Sequence, residues 1–205
     1  MLVILDYGVC NVGSIQNMLK KIGEAEVVIS HDKADIEKAD HLILPGVGAF
    51  DVGMQSLARM DLINPIRKYV LEDHKPLLGI CLGMQMLGRR SEEGTLEGLG
   101  LVPMECKRFS LPTDSRLKVP HMGWDQAFFE KKSPLTQGLP SPQRYYFVHS
   151  YHAVCDDPQY ILMQSEYGYP FTCAVQNNNV YGVQFHPEKS HQYGMKLLRN
   201  FVERC

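Results

Sequence analysis

The chain has 205 residues, 44% of them hydrophobic and 21% charged, which is enough to bury a substantial core in one folded domain. Its formal net charge of −2 gives no indication of a nucleic-acid or anionic-membrane surface. The amino terminus lacks a basic segment, and no apolar run approaches membrane-spanning length. We therefore expect a cytosolic protein that binds neither nucleic acid nor membrane.

The first 80 residues alternate between short apolar runs and helical patterns. Because strands that alternate with helices favour a parallel sheet covered on both faces, this half predicts an α/β fold. The apolar periodicity predicts strands at 2–6, 27–29, 41–44 and 76–80, and helices at 15–22, 32–38, 51–60 and 62–74.

The pattern changes after about residue 94, where short β-like runs are separated by turn signals. Asn177-Asn178-Asn179 lies between two such runs and predicts a hairpin. A helical pattern returns from Tyr193. We expect one domain over 1–205, with a mostly parallel sheet flanked by helices and a smaller antiparallel β extension. The predicted strands of this half are 99–106, 128–129, 144–149, 160–164, 173–176 and 180–185.

A cysteine lies between two glycines where the fourth predicted strand meets a helical pattern. Cys81 is flanked by Gly79 and Gly83, as at a nucleophile elbow, where the crowded turn needs small neighbours. The helix N-terminus that follows favours a thiolate over a thiol. Cys81 is therefore a candidate nucleophile, although a buried structural cysteine would also fit this stretch.

A histidine near the carboxyl end of the chain could serve as the base. His186 follows a β-like run that Pro187 ends, and Glu188 comes two residues later. If the fold brings them to Cys81, His186 can accept the thiol proton and Glu188 can orient the ring. A histidine beside a surface turn with only a structural role is the alternative.

The third component is a glycine-rich turn at 45–50, after the third predicted strand. Gly46 and Gly48 allow backbone N–H groups to face a ligand without side-chain interference. The N–H of Val47 or Gly48, with that of Leu82, could bind an oxyanion. A simple strand-closing turn is the alternative, and the pattern of a phosphate-binding loop is absent.

Five stretches of this sequence resemble the class I (triad) glutamine amidotransferases, and within them the glutaminase subunits of imidazole glycerol phosphate synthases. The resemblance covers essentially the whole chain and implies their flavodoxin-like fold. It is carried by P-G-V-G-A-F at 45–50, G-I-C-L-G-M-Q at 79–85 and V-Q-F-H-P-E-K-S at 183–190, with K-V-P-H-M-G-W at 118–124 and Y-F-V-H-S-Y at 146–151.

The resemblance implies hydrolysis of L-glutamine to glutamate and ammonia, with no metal or other cofactor. Cys81 would form a glutamyl thioester, His186 and Glu188 would complete the triad, and Val47, Gly48 and Leu82 would line the oxyanion hole. Residues expected around bound glutamine are Gly48, Gln85, His149, Ser150 and Tyr151.

A small glutaminase without a second active site suggests a partner that receives ammonia directly. In the family that this sequence resembles, the partner is a (β/α)₈ cyclase of histidine biosynthesis, and the two subunits form a heterodimer. An exposed tryptophan beside methionine and proline is also typical of protein interfaces, although Trp124 could simply pack within the domain. Residues expected at this interface are Asn11, Met122, Trp124 and Lys189.

Two departures from the family pattern leave the ammonia acceptor open. Cys10 replaces a glycine, and Asp125 replaces an asparagine. The same chemistry could serve a sugar amidotransferase for surface polysaccharides. A catalytically silent regulatory module is disfavoured by the intact triad, and a cysteine peptidase by the glutamine-pocket match.

Overall fold

The computed structural model describes residues 1–9 and 11–205, and Cys10 lies outside them. In the first half, strands and helices alternate as β1 (Leu2–Leu5), α1 (Val12–Lys21), β2 (Val27–Ser30), α2 (Lys33–Lys38), β3 (His41–Leu44), α3 (Phe50–Arg59), α4 (Ile63–Leu71), β4 (Leu77–Ile80) and α5 (Leu82–Met86). The remainder is mostly β-structure, with β5 (Arg90–Ser91), β6 (Met104–Arg108), β7 (His121–Phe129), β8 (Gln143–His149), β9 (Tyr151–Cys155), β10 (Ile161–Glu166), β11 (Pro170–Asn177), β12 (Val180–Val183) and the last helix, α6 (His191–Arg204).

The described strands form one sheet with a parallel and an antiparallel part. The order β2-β1-β3-β4-β12 is parallel, and β12 continues through antiparallel β11, β10, β7 and β8. β11 and β12 form the predicted hairpin around 177–179. This arrangement confirms the predicted α/β fold with its antiparallel extension.

The parallel strands are buried on both faces because helices cover each side. Successive residues of β1 alternate between two core clusters, with Val3 and Leu5 in one and Leu2 and Ile4 in the other. The first cluster includes side chains of α2–α5, and the second includes those of α1 and α6. Such double coverage explains the continuous apolar runs in the sequence. No helix of residues 1–9 and 11–205 is long and apolar enough to cross a bilayer.

The strand boundaries differ from prediction mainly in the antiparallel half. β7 begins at His121, whereas only its last two residues were predicted, and β9 was not predicted. The strand expected from residue 99 begins at Met104, because Leu99 and Leu101 donate instead to the Met86 and Leu87 carbonyls at the end of α5. Their apolar pattern reflects packing against that helix and not strand pairing.

Candidate active site

Cys81 occupies a strained turn between β4 and α5. Its φ of 56° and ψ of −111° lie in a region that L-residues rarely adopt. A Cβ on Gly83 would lie 1.8 Å from the Leu44 carbonyl oxygen, so only glycine allows this close approach. The turn leaves Cys81 only 8% exposed, at the carboxyl end of a central strand.

His186 reaches the same end of the sheet because β12 is the parallel neighbour of β4. Val183 pairs with Ile80, and its carbonyl accepts the Cys81 N–H at 2.8 Å. Nδ1 of His186 lies 2.7 Å from Oε1 of Glu188, and both side chains are nearly fully buried. The fold therefore brings together the cysteine and the imidazole–carboxylate pair, 105 residues apart in sequence.

The electrostatic environment of His186 favours its protonated form. Burial lowers the pKa of His186, but side-chain interactions with Cys81 and Glu188 outweigh this effect and raise it to about 10. Within the described chain, Nε2 of His186 has no hydrogen bond of standard geometry. Cys81 thus acts on the ring at close range without an ideal hydrogen bond, a geometry that often tightens only when substrate binds.

Gln184 contacts Cys81 and was not among the predicted site residues. Its Nε2 lies 3.7 Å from Sγ of Cys81, and its Oε1 accepts from Nε2 of Gln85 at 3.0 Å. The residue is fully buried. Because side chains two apart in an extended segment point to the same side, its spacing from His186 could have identified it.

Two of the three predicted oxyanion donors, Val47 and Leu82, are engaged by other backbone groups. The Val47 N–H donates to the Val9 carbonyl at 2.9 Å, and the Leu82 N–H donates to the Gly46 carbonyl at 3.3 Å. A single peptide unit, between Gly46 and Val47, therefore makes both contacts. Turning this unit would break both hydrogen bonds and leave both N–H groups free.

A cavity of about 500 Å³ opens beside Cys81 and His186 and is large enough for an amino acid. All the predicted oxyanion and glutamine-binding residues line it. Glu93, which was not predicted, also lines it, while its Oε2 accepts the Phe50 N–H at 2.9 Å. The predicted residues lining the cavity are Val47, Gly48, Leu82, Gln85, His149, Ser150 and Tyr151.

Two of these lining side chains are held by contacts within the protein. Nε2 of Gln85 donates to the Tyr151 carbonyl at 3.3 Å as well as to Gln184. Nδ1 of His149 lies 2.8 Å from the same carbonyl. Burial lowers the pKa of His149 to about 3, so this ring is neutral at physiological pH.

The residues predicted to contact a partner lie near the outer surface. Asn11 and Lys189 are exposed, and Met122 is 62% exposed. Trp124 is half-buried and stacks on His191 at a ring-centroid distance of 5.5 Å. Lys189 also lines the cavity, so this surface adjoins the active site.

Comparison with curated proteins gives relatives that align over nearly their whole length. An imidazole glycerol phosphate synthase subunit HisH 2 of Pseudomonas aeruginosa is 51% identical over 203 residues, covering 99% of each chain. A subunit with the same name from Methanococcus maripaludis is 50% identical over 205 residues, covering all of both. Subunit HisH of Bdellovibrio bacteriovorus is 44% identical over 204 residues, covering 99% of this chain and 100% of the relative.

Solved structures share the fold at lower identity. A structure described as a glutamine amidotransferase has a TM-score of 0.74 at 20% identity, covering 98% of this chain and 97% of that one. A putative GMP synthase subunit from Thermoplasma acidophilum has a TM-score of 0.71 at 21% identity, covering 98% and 91%. The family model described as glutamine amidotransferase class-I matches residues 3–205. The chain therefore belongs to the class I glutamine amidotransferases.

Proposed function

We propose that the chain is the glutaminase subunit of an imidazole glycerol phosphate synthase and hydrolyses L-glutamine to glutamate and ammonia for histidine biosynthesis. The observation that carries this proposal is that Cys81 and His186 line one amino-acid-sized cavity while Glu188 contacts the far nitrogen of the His186 ring. The full-length relatives named as imidazole glycerol phosphate synthase subunits support this synthase as the acceptor of the ammonia. The whole chain, 1–205, would form the single glutaminase domain.

The chemistry follows from the positions of the three groups. The Cys81 sulfur attacks the side-chain amide carbon of glutamine after its proton has passed to His186. His186 then protonates the departing ammonia, and this leaves a glutamyl thioester. Water, deprotonated by His186, attacks the thioester and releases glutamate with regeneration of the thiol. Glu188 holds Nδ1 of the ring throughout and stabilises the imidazolium.

The remaining pocket groups suit the other parts of glutamine. The Gln85 side chain and the 148–151 segment line the cavity beside the nucleophile. Glu93 presents a carboxylate that can attract the ammonium group of the amino acid. Gly48, with φ of 101°, gives the oxyanion turn a conformation that favours glycine.

We further propose that a partner switches on the oxyanion site. The Val9 carbonyl that holds the Val47 N–H lies two residues before Asn11, which is exposed and expected at the interface. A partner that displaces this segment would free the Gly46–Val47 peptide unit to turn. Because one oxyanion donor is typically worth about a hundred- to a thousandfold in rate, the isolated chain should be a slow glutaminase.

The partner is proposed to be a (β/α)₈ cyclase bound as a heterodimer over Asn11, Met122, Trp124 and Lys189. The exposure of Met122 and the nearness of Lys189 to the cavity support this placement. Direct docking would deliver ammonia before water protonates it. A cytosolic location stays a prediction from the sequence.

The test replaces the nucleophile in the assembled synthase. Cys81→Ala should abolish glutamine-dependent product formation but leave synthesis from added ammonium salt intact. Cys155→Ala, at a half-buried cysteine outside the cavity, is the matched control and should retain both activities. Glutamine turnover by purified Cys81→Ala protein would contradict the assignment of the nucleophile.

A sugar amidotransferase is the second candidate for the ammonia acceptor. Two relatives that are half identical to this chain carry the number 2 in their names, and Asp125 departs from the family pattern near the expected interface. Purification of the tagged chain with its bound partner separates the candidates. Recovery of a sugar-modifying synthetase in place of a cyclase would favour the second.

A further inference from the structure

Asp125, His121 and His149 form a continuous chain of contacts that ends at the glutamine pocket. Oδ2 of Asp125 lies 3.3 Å from Nε2 of His121, whose Nδ1 lies 3.1 Å from Nε2 of His149. Nδ1 of His149 lies 2.8 Å from the carbonyl of Tyr151, a cavity residue. Asp125 is 40% exposed at the outer end, whereas the two rings are buried.

The donors and acceptors along this series of contacts determine the protonation state of His121. A carbonyl oxygen can only accept, so Nδ1 of His149 must donate to Tyr151. Because the ring of His149 is neutral, its Nε2 accepts, and Nδ1 of His121 must donate to it. An ionised Asp125 also only accepts, so Nε2 of His121 must carry a proton as well. The two ring contacts are hydrogen bonds, and the contact with Asp125 is an ion pair, only when His121 is an imidazolium.

The surroundings of His121 fix its ring plane and support a positive charge. The ring stacks between Phe147, at a centroid distance of 4.8 Å, and Tyr167, at 4.0 Å. Aromatic faces attract a cation electrostatically. The titratable groups facing the ring are Asp125 on its own strand, His149 on β8 and Tyr167 between β10 and β11.

Burial opposes this charge. It lowers the pKa of His121 below its usual value, although Asp125 pulls the pKa of that ring upward. Protonation of the ring is therefore gained as the pH falls and lost as the pH rises. With neutral His121, one of the three contacts pairs two acceptors and becomes repulsive.

We propose that Asp125 and His121 are positioning residues. They keep Tyr151, which lines the glutamine pocket, in place only while both ring nitrogens of His121 are protonated. The identity of the pocket's ligand rests on the proposed glutaminase function. An asparagine amide could donate to neutral His121 and complete the chain without the extra proton.

The proton count is tested by NMR of the histidine ring nitrogens in the full chain. Asp125→Asn removes the charge that raises the pKa of His121, so its second ring proton should be lost at lower pH than in the wild type. Asp114→Asn, at an exposed aspartate of the 110–118 loop, is the control and should leave His121 unchanged. An identical His121 titration in the wild type and Asp125→Asn would overturn the proposal.

The positioning role is tested by calorimetric binding of L-glutamine from pH 5.5 to 8 in Cys81→Ala protein, with Asp125 present or replaced. Relative to Asp125→Asn, the protein with Asp125 should bind glutamine about two- to tenfold more weakly once His121 deprotonates, the value of roughly one hydrogen bond. The ratio of the two dissociation constants, for the protein with Asp125 and for Asp125→Asn, cancels the pH effects that both proteins share.

A pH-independent ratio, with His121 titrating as expected, would overturn the positioning role but not the proton count. Absence of glutamine binding at every pH would overturn the proposed substrate, and with it the positioning role. The NMR titration would still decide the protonation of His121, so failure of the function and failure of the proton count are distinguishable.

Discussion

Replacement of Gln184 by methionine should slow glutamine hydrolysis by making the Cys81 thiolate less favourable. Nε2 of Gln184 is 3.7 Å from Sγ of Cys81, in a fully buried position that water does not reach. Methionine has a similar length but offers no N–H donor. Gln85 keeps the Tyr151 carbonyl as an acceptor, so the substitution leaves this amide with a partner.

The expected magnitude follows from the charge on the acceptor. A hydrogen bond to a charged group contributes about 1.5–3 kcal/mol, which corresponds to about a 10- to 150-fold change in an equilibrium. Because hydrolysis begins with attack by sulfur, kcat/KM for glutamine should fall by a factor in this range. Ammonia-dependent synthesis by the assembled synthase should not change, since it bypasses Cys81.

The direct assay measures alkylation of Cys81 by iodoacetamide as a function of pH, with the modified residue identified by mass spectrometry. The Gln184→Met protein should react more slowly than the wild type near neutral pH. Gln176→Met, at a half-buried glutamine of neighbouring β11, is the control and should behave as wild type. Unchanged alkylation and unchanged kcat/KM in Gln184→Met would refute a role for this donor.

Two further predictions concern stability. Gly83→Ala should lower the free energy of unfolding by about 3 kcal/mol or more, because its Cβ would lie 1.8 Å from the Leu44 carbonyl oxygen. The control, Gly13→Ala, lies in open space on α1 and should be neutral or slightly stabilising. Denaturant unfolding measures both changes. Because the pKa of His186 is raised to about 10 in the folded state, its protonated form stabilises the protein fully below pH 6.5 and less as pH rises toward 10. The difference in unfolding free energy between wild type and Glu188→Gln should therefore shrink from pH 6 to pH 10, and a difference that grows would contradict this linkage.

The parallel half of the fold was predictable because local and tertiary requirements coincide there. β1, β3 and β4 are continuous apolar runs, and only strands covered on both faces need that pattern. The turn chemistry at Gly79 and Gly83 is equally local, since the backbone leaves no room for side chains. The antiparallel half was less predictable, because β7 contains Gly123 and follows Pro120, so its residues lack a clear strand period.

The contact between His186 and Glu188 was predictable because the two residues are close in sequence, in the short segment that follows β12. Gln184 lies in the apolar run before His186 and was missed, although its spacing from His186 could have identified it. Its role depends on the pairing of β12 beside β4, which aims its amide at a cysteine 103 residues away.

By itself, the sequence determined the strand–helix alternation, the elbow around Cys81 and the residue types of the triad, because each depends on neighbours within a few positions. Only the tertiary structure decided that one peptide unit engages the N–H groups of Val47 and Leu82, and that Asp125 contacts His121 at the end of a buried pair of histidines. These contacts join segments that are distant in sequence or depend on the exact path of the backbone, and no local pattern specifies which groups will face each other.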